Sequence, residues 1–97
     1  MARSYWVSVY RSIPDRQRLT DYDRLAGLAV QAGGGRVLSR GDRVVAHESG
    51  NTQRVVLIEF DSFEQAAAAY ESDAYRKALA ALPDDVERDF RIIEGVD

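Results

Sequence analysis

Apolar residues recur every second position at the start of this chain and every third or fourth position soon after. Tyr5-Trp6-Val7-Ser8-Val9-Tyr10 is aromatic and β-branched and predicts a strand. Tyr5, Val7 and Val9 share one face of it, and Trp6, Ser8 and Tyr10 the other. Pro14-Asp15 then interrupts the chain. Asp15 is placed to cap a helix whose apolar stripe is Leu19, Tyr22, Leu25, Ala26 and Ala29. Gly33-Gly34-Gly35 ends that helix, because glycine takes left-handed conformations at little cost. Arg36–Arg40 and Arg43–Glu48 read as two strand segments. We expect one long strand bent by a bulge at Gly41-Asp42, with a hairpin as the alternative. After the turn signal Ser49-Gly50-Asn51-Thr52, Arg54–Phe60 is the strongest strand. Its apolar residues do not alternate with polar ones, which marks a strand covered on both faces. Ser62-Phe63-Glu64-Gln65 has capping-box form and opens a helix with the stripe Phe63, Ala66, Ala67 and Tyr70. Ser72 starts a further short helix bearing Tyr75, Ala78, Leu79 and Leu82, and Pro83 stops it. Asp84-Asp85 opens a polar link, and Phe90–Glu94 predicts the last strand.

The resulting order, β-α-β-β-α-β with the second helix broken in two, predicts an α+β fold. It fits a ferredoxin-like sandwich of four antiparallel strands with the helices on one face. One helix layer covers one face of a sheet, yet both faces here carry large apolar side chains. Tyr5, Val7 and Val9 oppose Trp6 and Tyr10, while Val55 and Leu57 oppose Val56, Ile58 and Phe60. Whichever face the helices take, the other needs a cover. We therefore expect a homodimer whose two sheets pack face to face as a closed or nearly closed α/β barrel. The 97 residues suit a single ferredoxin-like domain over 1–97.

Composition narrows the partners. A formal net charge of −3 argues against nucleic acid and against an anionic membrane surface. The absence of cysteine excludes a disulfide framework, a thiolate metal site and a cysteine nucleophile. No apolar run approaches a membrane span, and the first residues lead straight into strand sequence without a signal-peptide core, so a cytoplasmic location is expected.

The blocks Tyr5-Trp6-Val7, Gly34-Gly35-Arg36-Val37-Leu38-Ser39-Arg40-Gly41, Val56 through Ala66, Tyr70-Glu71-Ser72-Asp73-Ala74-Tyr75 and Ile92-Ile93-Glu94-Gly95-Val96 follow one another in an order and spacing that covers nearly the whole chain. In these the sequence resembles domain-of-unknown-function family 1330, within the dimeric α/β-barrel superfamily. The resemblance implies a ferredoxin-like subunit and a barrel-forming homodimer. It assigns no activity. The wider superfamily includes cofactor-free monooxygenases, isomerases of small lactones, haem enzymes and stress-responsive binding proteins, and carrying any of these over would be fold-level analogy.

Several residues could carry chemistry. Glu59 is the polar exception in the most apolar strand. It reads either as a pocket acid with a raised pKa or as the partner of an arginine such as Arg40 or Arg54. His47, the single histidine, reads as a proton carrier or as a surface residue with no task. Arg40, before the expected bulge, could hold a substrate carboxylate, be solvated, or pair with Glu59. Trp6, Ser8 and Tyr10 share a face and would line a pocket or pack a dimer interface. Tyr22, Tyr70 and Tyr75 read as helix-stripe core residues. The triple glycine follows a helix and so is no phosphate loop. No metal-ligand spacing appears, and neither a metal nor a cofactor is expected. The expected function is binding of a small organic molecule in a pocket by the sheet. The alternative is a cofactor-free monooxygenase or isomerase acting on a small organic acid or polyketide-like substrate, with Glu59 or His47 carrying the proton and Arg40 orienting an anion.

Overall fold

A computed structural model describes residues 2–96. The elements are β1 (Ser4–Ser12), a 3-10 turn (Arg16–Leu19), α1 (Thr20–Ala32), β2 (Arg36–Gly41), β3 (Val55–Phe60), α2 (Phe63–Tyr70), α3 (Asp73–Ala81) and β4 (Glu87–Glu94). The four strands form one antiparallel sheet in the order β2-β3-β1-β4, the ferredoxin-like arrangement.

The local signals act where the sequence places them. The Asp15 carboxylate accepts from the Gln17 amide at 3.0 Å and caps the 3-10 turn that leads into α1. Ser62 and Ser72 accept from the amides of Gln65 and Tyr75 at 3.1 and 3.2 Å and cap α2 and α3. Gln65 does not reach back to Ser62. Its side-chain oxygen accepts from the Asp61 amide at 3.2 Å, and its nitrogen donates to the Gly33 carbonyl at 3.1 Å, tying the end of α1 to the start of α2. Gly34 lies at φ 83°, where a side chain would strain the backbone. A Cβ on Gly35 would stand 2.7 Å from the Phe60 ring and 2.8 Å from Val30, so α1 can turn into β2 only with glycine there.

Two expectations are corrected. Arg43–Glu48 is not a strand: β2 stops at Gly41, and an irregular connection runs to β3. Neither a long bent strand nor a hairpin forms. The register irregularity sits between Val37 and Ser39, not at Gly41-Asp42. The last strand begins at Glu87, three residues before Phe90, and this puts Arg88 into the sheet.

Register sorts the two faces. Ser4, Trp6, Ser8 and Tyr10 point to the helices and are buried, as are Ile58 and Phe60 opposite them. Trp6 is the hub. Its ring meets Phe60, Tyr75 and Phe90 at centroid distances of 5.1, 4.9 and 5.3 Å, and its indole N–H donates to the Ala66 carbonyl at 2.9 Å. That one bond satisfies the ring's only polar group and fixes α2 to the sheet. The opposite face carries Tyr5, Val7, Val9, Val55, Leu57, Glu59 and Ile93, and no helix among the described residues covers it. Among the described residues no helix is long and apolar enough to cross a membrane.

Candidate functional site

A pocket opens between α1 and the helix-facing side of the sheet. β1 contributes Trp6, Ser8 and Tyr10, β3 contributes Val56 and Ile58, and β4 contributes Arg88 and Phe90; Tyr22, Asp23 and Ala26 close it from α1. It leaves a cavity of about 40 Å³ for the centres of water-sized molecules, enough for a few waters or a small organic group. Its walls are mostly aromatic and aliphatic, and its polar groups converge on one side.

Those polar groups form a connected set. The hydroxyls of Tyr22 and Tyr75 lie 2.6 Å apart. Arg88 donates to Tyr22 at 2.8 Å and to Tyr75 at 3.0 Å, and its guanidinium stands 5.1 Å from the Tyr22 ring centroid and 4.9 Å from that of Phe90. Strand pairing explains the position, since Arg88 faces Tyr10 across the β1–β4 ladder. Burial pushes the Tyr22 phenol far above its ordinary pKa and raises that of Tyr75. Burial alone would lower the Arg88 pKa, but its interactions with the two tyrosines outweigh it and the net shift is upward. Arg88 is therefore a fixed cation beside two neutral phenols. Among the described residues no carboxylate lies within ion-pair distance of it.

The arginine at the other side of Tyr10 differs. Arg54 grips both carboxylate oxygens of Asp23, at 3.1 and 2.7 Å, and its guanidinium lies 5.5 Å from the Tyr10 ring centroid. Burial raises the Asp23 pKa, against the pull of Arg54 and Arg40.

The residues singled out in the sequence do not all meet here. Trp6, Ser8, Tyr10 and Arg40 line the pocket, Arg40 as an exposed residue of β2. Glu59 lies on the uncovered face of the sheet, away from the pocket. It pairs with Arg3 at 2.9 Å and Arg36 at 3.0 Å, not with Arg40 or Arg54. The hydrogen bond from Arg36, helped by Arg3, holds its carboxyl below the usual value, which corrects the expectation of a raised pKa. His47 is exposed in the connection between β2 and β3. Sequence reading missed Arg88 and Asp23 and took Tyr22 and Tyr75 for core alone. Beginning the last strand at Phe90 hid the signal: Arg88, Phe90 and Ile92 alternate, so a cation sits on an apolar face.

No curated protein matches this chain. Among solved structures it is similar to a protein of unknown function from Rhodopseudomonas palustris, with TM-score 0.72, 16% identity, 99% of this chain covered and 84% of that one. It is also similar to a protein from Nitrosomonas europaea provisionally named an antibiotic biosynthesis monooxygenase, with TM-score 0.63, 16% identity and 98% and 99% of the two chains covered. At these identities the likeness speaks for the fold alone. Residues 3–96 match the family described as Domain of unknown function (DUF1330), and the chain belongs to that family.

Proposed function

We propose that this protein binds a small organic molecule in the pocket between α1 and the sheet. The observation that carries the reading is the pocket's make-up: largely apolar and aromatic walls with a few polar groups converging on one side, the composition typical of ligand sites. Trp6 is the only tryptophan and lines the pocket, so its emission reports on occupancy. A fragment library screened by Trp6 emission and by amide shifts in NMR should yield hits whose shifts cluster on β1, α1 and β4. Hits scattered over the surface, or none, would refute the reading.

The second part of the proposal is a homodimer joined through the uncovered face of the sheet. Val7 pairs with Leu57 and Val9 with Val55 at its centre, and no helix among the described residues lies over these apolar side chains. Ion-paired clusters flank them, Arg3–Glu59–Arg36 at one end and Arg11–Asp89–Arg91 at the other. An apolar centre with a charged rim is the anatomy of a protein interface. Light scattering at micromolar concentration should give twice the chain mass of 10.8 kDa, and a monomer would contradict this.

A cofactor-free isomerase or oxygenase is the second reading, and Asp23 favours it. It is a pocket-lining carboxylate whose pKa burial raises, as a general base requires. In that reading Asp23 takes a proton from the carbon next to a substrate carbonyl and the Arg88 charge holds the resulting enolate. Pyruvate in D2O would then exchange its methyl protons faster with the protein than in buffer, and Asp23→Asn would remove the excess. Exchange at the buffer rate would refute this reading.

A further inference from the structure

We infer that the pocket's ligand is a small monoanionic carboxylate, seated on Arg88 and the paired hydroxyls of Tyr22 and Tyr75. The inference rests on the small-molecule reading above and names the chemistry of its ligand.

Protons outnumber acceptors in this cluster. Tyr22 and Tyr75 have one phenolic proton each. Their mutual hydrogen bond at 2.6 Å uses one of them. Each oxygen also accepts from Arg88, at 2.8 and 3.0 Å. Whichever tyrosine donates to the other, the second phenolic proton has no acceptor among the described residues. Arg88 adds to the surplus. A guanidinium has five N–H groups, and among the described residues the only further hydrogen-bond acceptor they reach is Ser8 at 3.5 Å, at the limit of a hydrogen bond. The cluster is therefore rich in donors, poor in acceptors and positively charged. Its missing component is a group that only accepts and carries negative charge. A carboxylate meets that description, and its two oxygens suit the fork of a guanidinium.

The surroundings select within the anions. The lining holds two arginines, Arg40 and Arg88, against one aspartate, Asp23, and Asp23 is already gripped by Arg54. The pocket thus favours negative charge although the chain carries −3 overall. Arg88 is the cation inside the cluster and Arg40 the exposed one, so a single charge is matched within. The remaining walls, Trp6, Val56 and Phe90 among them, suit an apolar group attached to that charge. Inorganic phosphate, as its dianion, offers more charge than the cluster matches, and in either ionic form it has nothing for those walls.

Matched pairs test this: propionate against propionamide and benzoate against benzamide, titrated at constant ionic strength by calorimetry and Trp6 emission, with inorganic phosphate as a further arm. Each carboxylate should bind about tenfold or more tighter than its amide, the step expected of charge-assisted hydrogen bonds. Arg88→Met should erase that preference, and phosphate should not displace the carboxylate. A Tyr22→Phe/Tyr75→Phe double variant, which keeps the cation and removes both phenolic protons, should weaken carboxylate binding more than amide binding, since the bond to an ionised acceptor is the stronger. That variant also decides the matter if Arg88→Met fails to fold. Equal binding of acid and amide, or an unchanged preference in both variants, would overturn the carboxylate while leaving the pocket as a binding site. Phosphate binding as tightly as the carboxylates would overturn the choice of anion. Binding of neither acid nor amide would overturn both readings.

Discussion

Arg88 and Arg54 flank the same tyrosine, yet replacement by methionine should lower stability at Arg54 and not at Arg88. Arg54 is paired: its side chain is 12% exposed and its bidentate partner Asp23 29%. Arg54→Met leaves a partly buried carboxylate without its cation. A fully buried pair broken this way costs about 3–5 kcal/mol, and partial exposure of Asp23 reduces that to about 2 kcal/mol. Among the described residues Arg88 has no carboxylate partner. Its desolvation costs several kcal/mol. The charge attraction to Tyr22 and Tyr75 that holds its pKa up is to their ionised forms, so while the phenols are neutral only the two hydrogen bonds and the ring contacts stand against that cost, together about 2–4 kcal/mol. Methionine keeps the length and apolar contact, and the two phenols keep each other. Arg88→Met should therefore leave the unliganded protein unchanged or up to about 2 kcal/mol more stable. For a domain of this size about 1 kcal/mol corresponds to roughly 4–8 °C in Tm. Thermal unfolding followed by circular dichroism at one protein concentration separates the outcomes: a fall of about 8 °C or more for Arg54→Met and no fall, or a rise, for Arg88→Met. A loss in Arg88→Met equal to that in Arg54→Met would refute the reasoning, since it would show that the phenols and rings compensate the charge as fully as a carboxylate does. A rise would mean that stability is given up to hold a cation ready for a ligand, as functional sites often do.

Three further outcomes follow from the same structure. Ultraviolet titration should show Tyr22 and Tyr75 resisting ionisation, because burial raises both above the ordinary 10.0; the unfolded chain then loses protons that the folded chain keeps, so stability is intact below pH 10 and falls as pH rises above it. All five tyrosines ionising together near pH 10 in the folded protein would contradict this. Leu57→Lys places a charge at the centre of the uncovered sheet face, opposite Val7, and should shift the light-scattering mass from dimer to monomer with the pocket intact. Gly35→Ala forces a methyl against Phe60 and Val30 and should cost about 1–3 kcal/mol in urea unfolding, whereas Gly27→Ala, with no atom within 4 Å of the added carbon, should not lower stability.

Much of the fold is legible in the sequence because its local signals are redundant. Ser62 and Ser72 cap as expected, each with an apolar stripe starting just after it, while Asp15 caps the 3-10 turn before α1 and not α1 itself. The failures have a common cause. Arg43–Glu48 contains Val44, Val45 and Ala46 and reads as a strand, but strand formation needs a paired neighbour, and β3 pairs with β2 only up to Gly41 opposite Val55. Propensity without a partner gave an irregular connection and carried His47 out of the sheet with it.

The candidate site was harder to see for a related reason. Glu59 stands out in a one-dimensional reading because its neighbours in sequence are apolar, but sheet register sets its true neighbours, and these are Tyr5 and Arg36. On that face the carboxylate finds two arginines and is satisfied. Arg88 is the reverse case. Its neighbours in sequence, Glu87 and Asp89, make it look like one charge among several, while its neighbours in space are Tyr10, Tyr22, Tyr75 and Phe90. A strand's period of two separates these cases: Asp89 and Arg91 point to the uncovered face and pair with each other at 3.0 Å, and Arg88 alternates with Phe90 on the covered one. Charge that is conspicuous in sequence was thus neutralised by folding. Charge that is inconspicuous in sequence was left without a counterion among the described residues, and that residual charge is the reason to look for a ligand at Arg88 and not at Glu59.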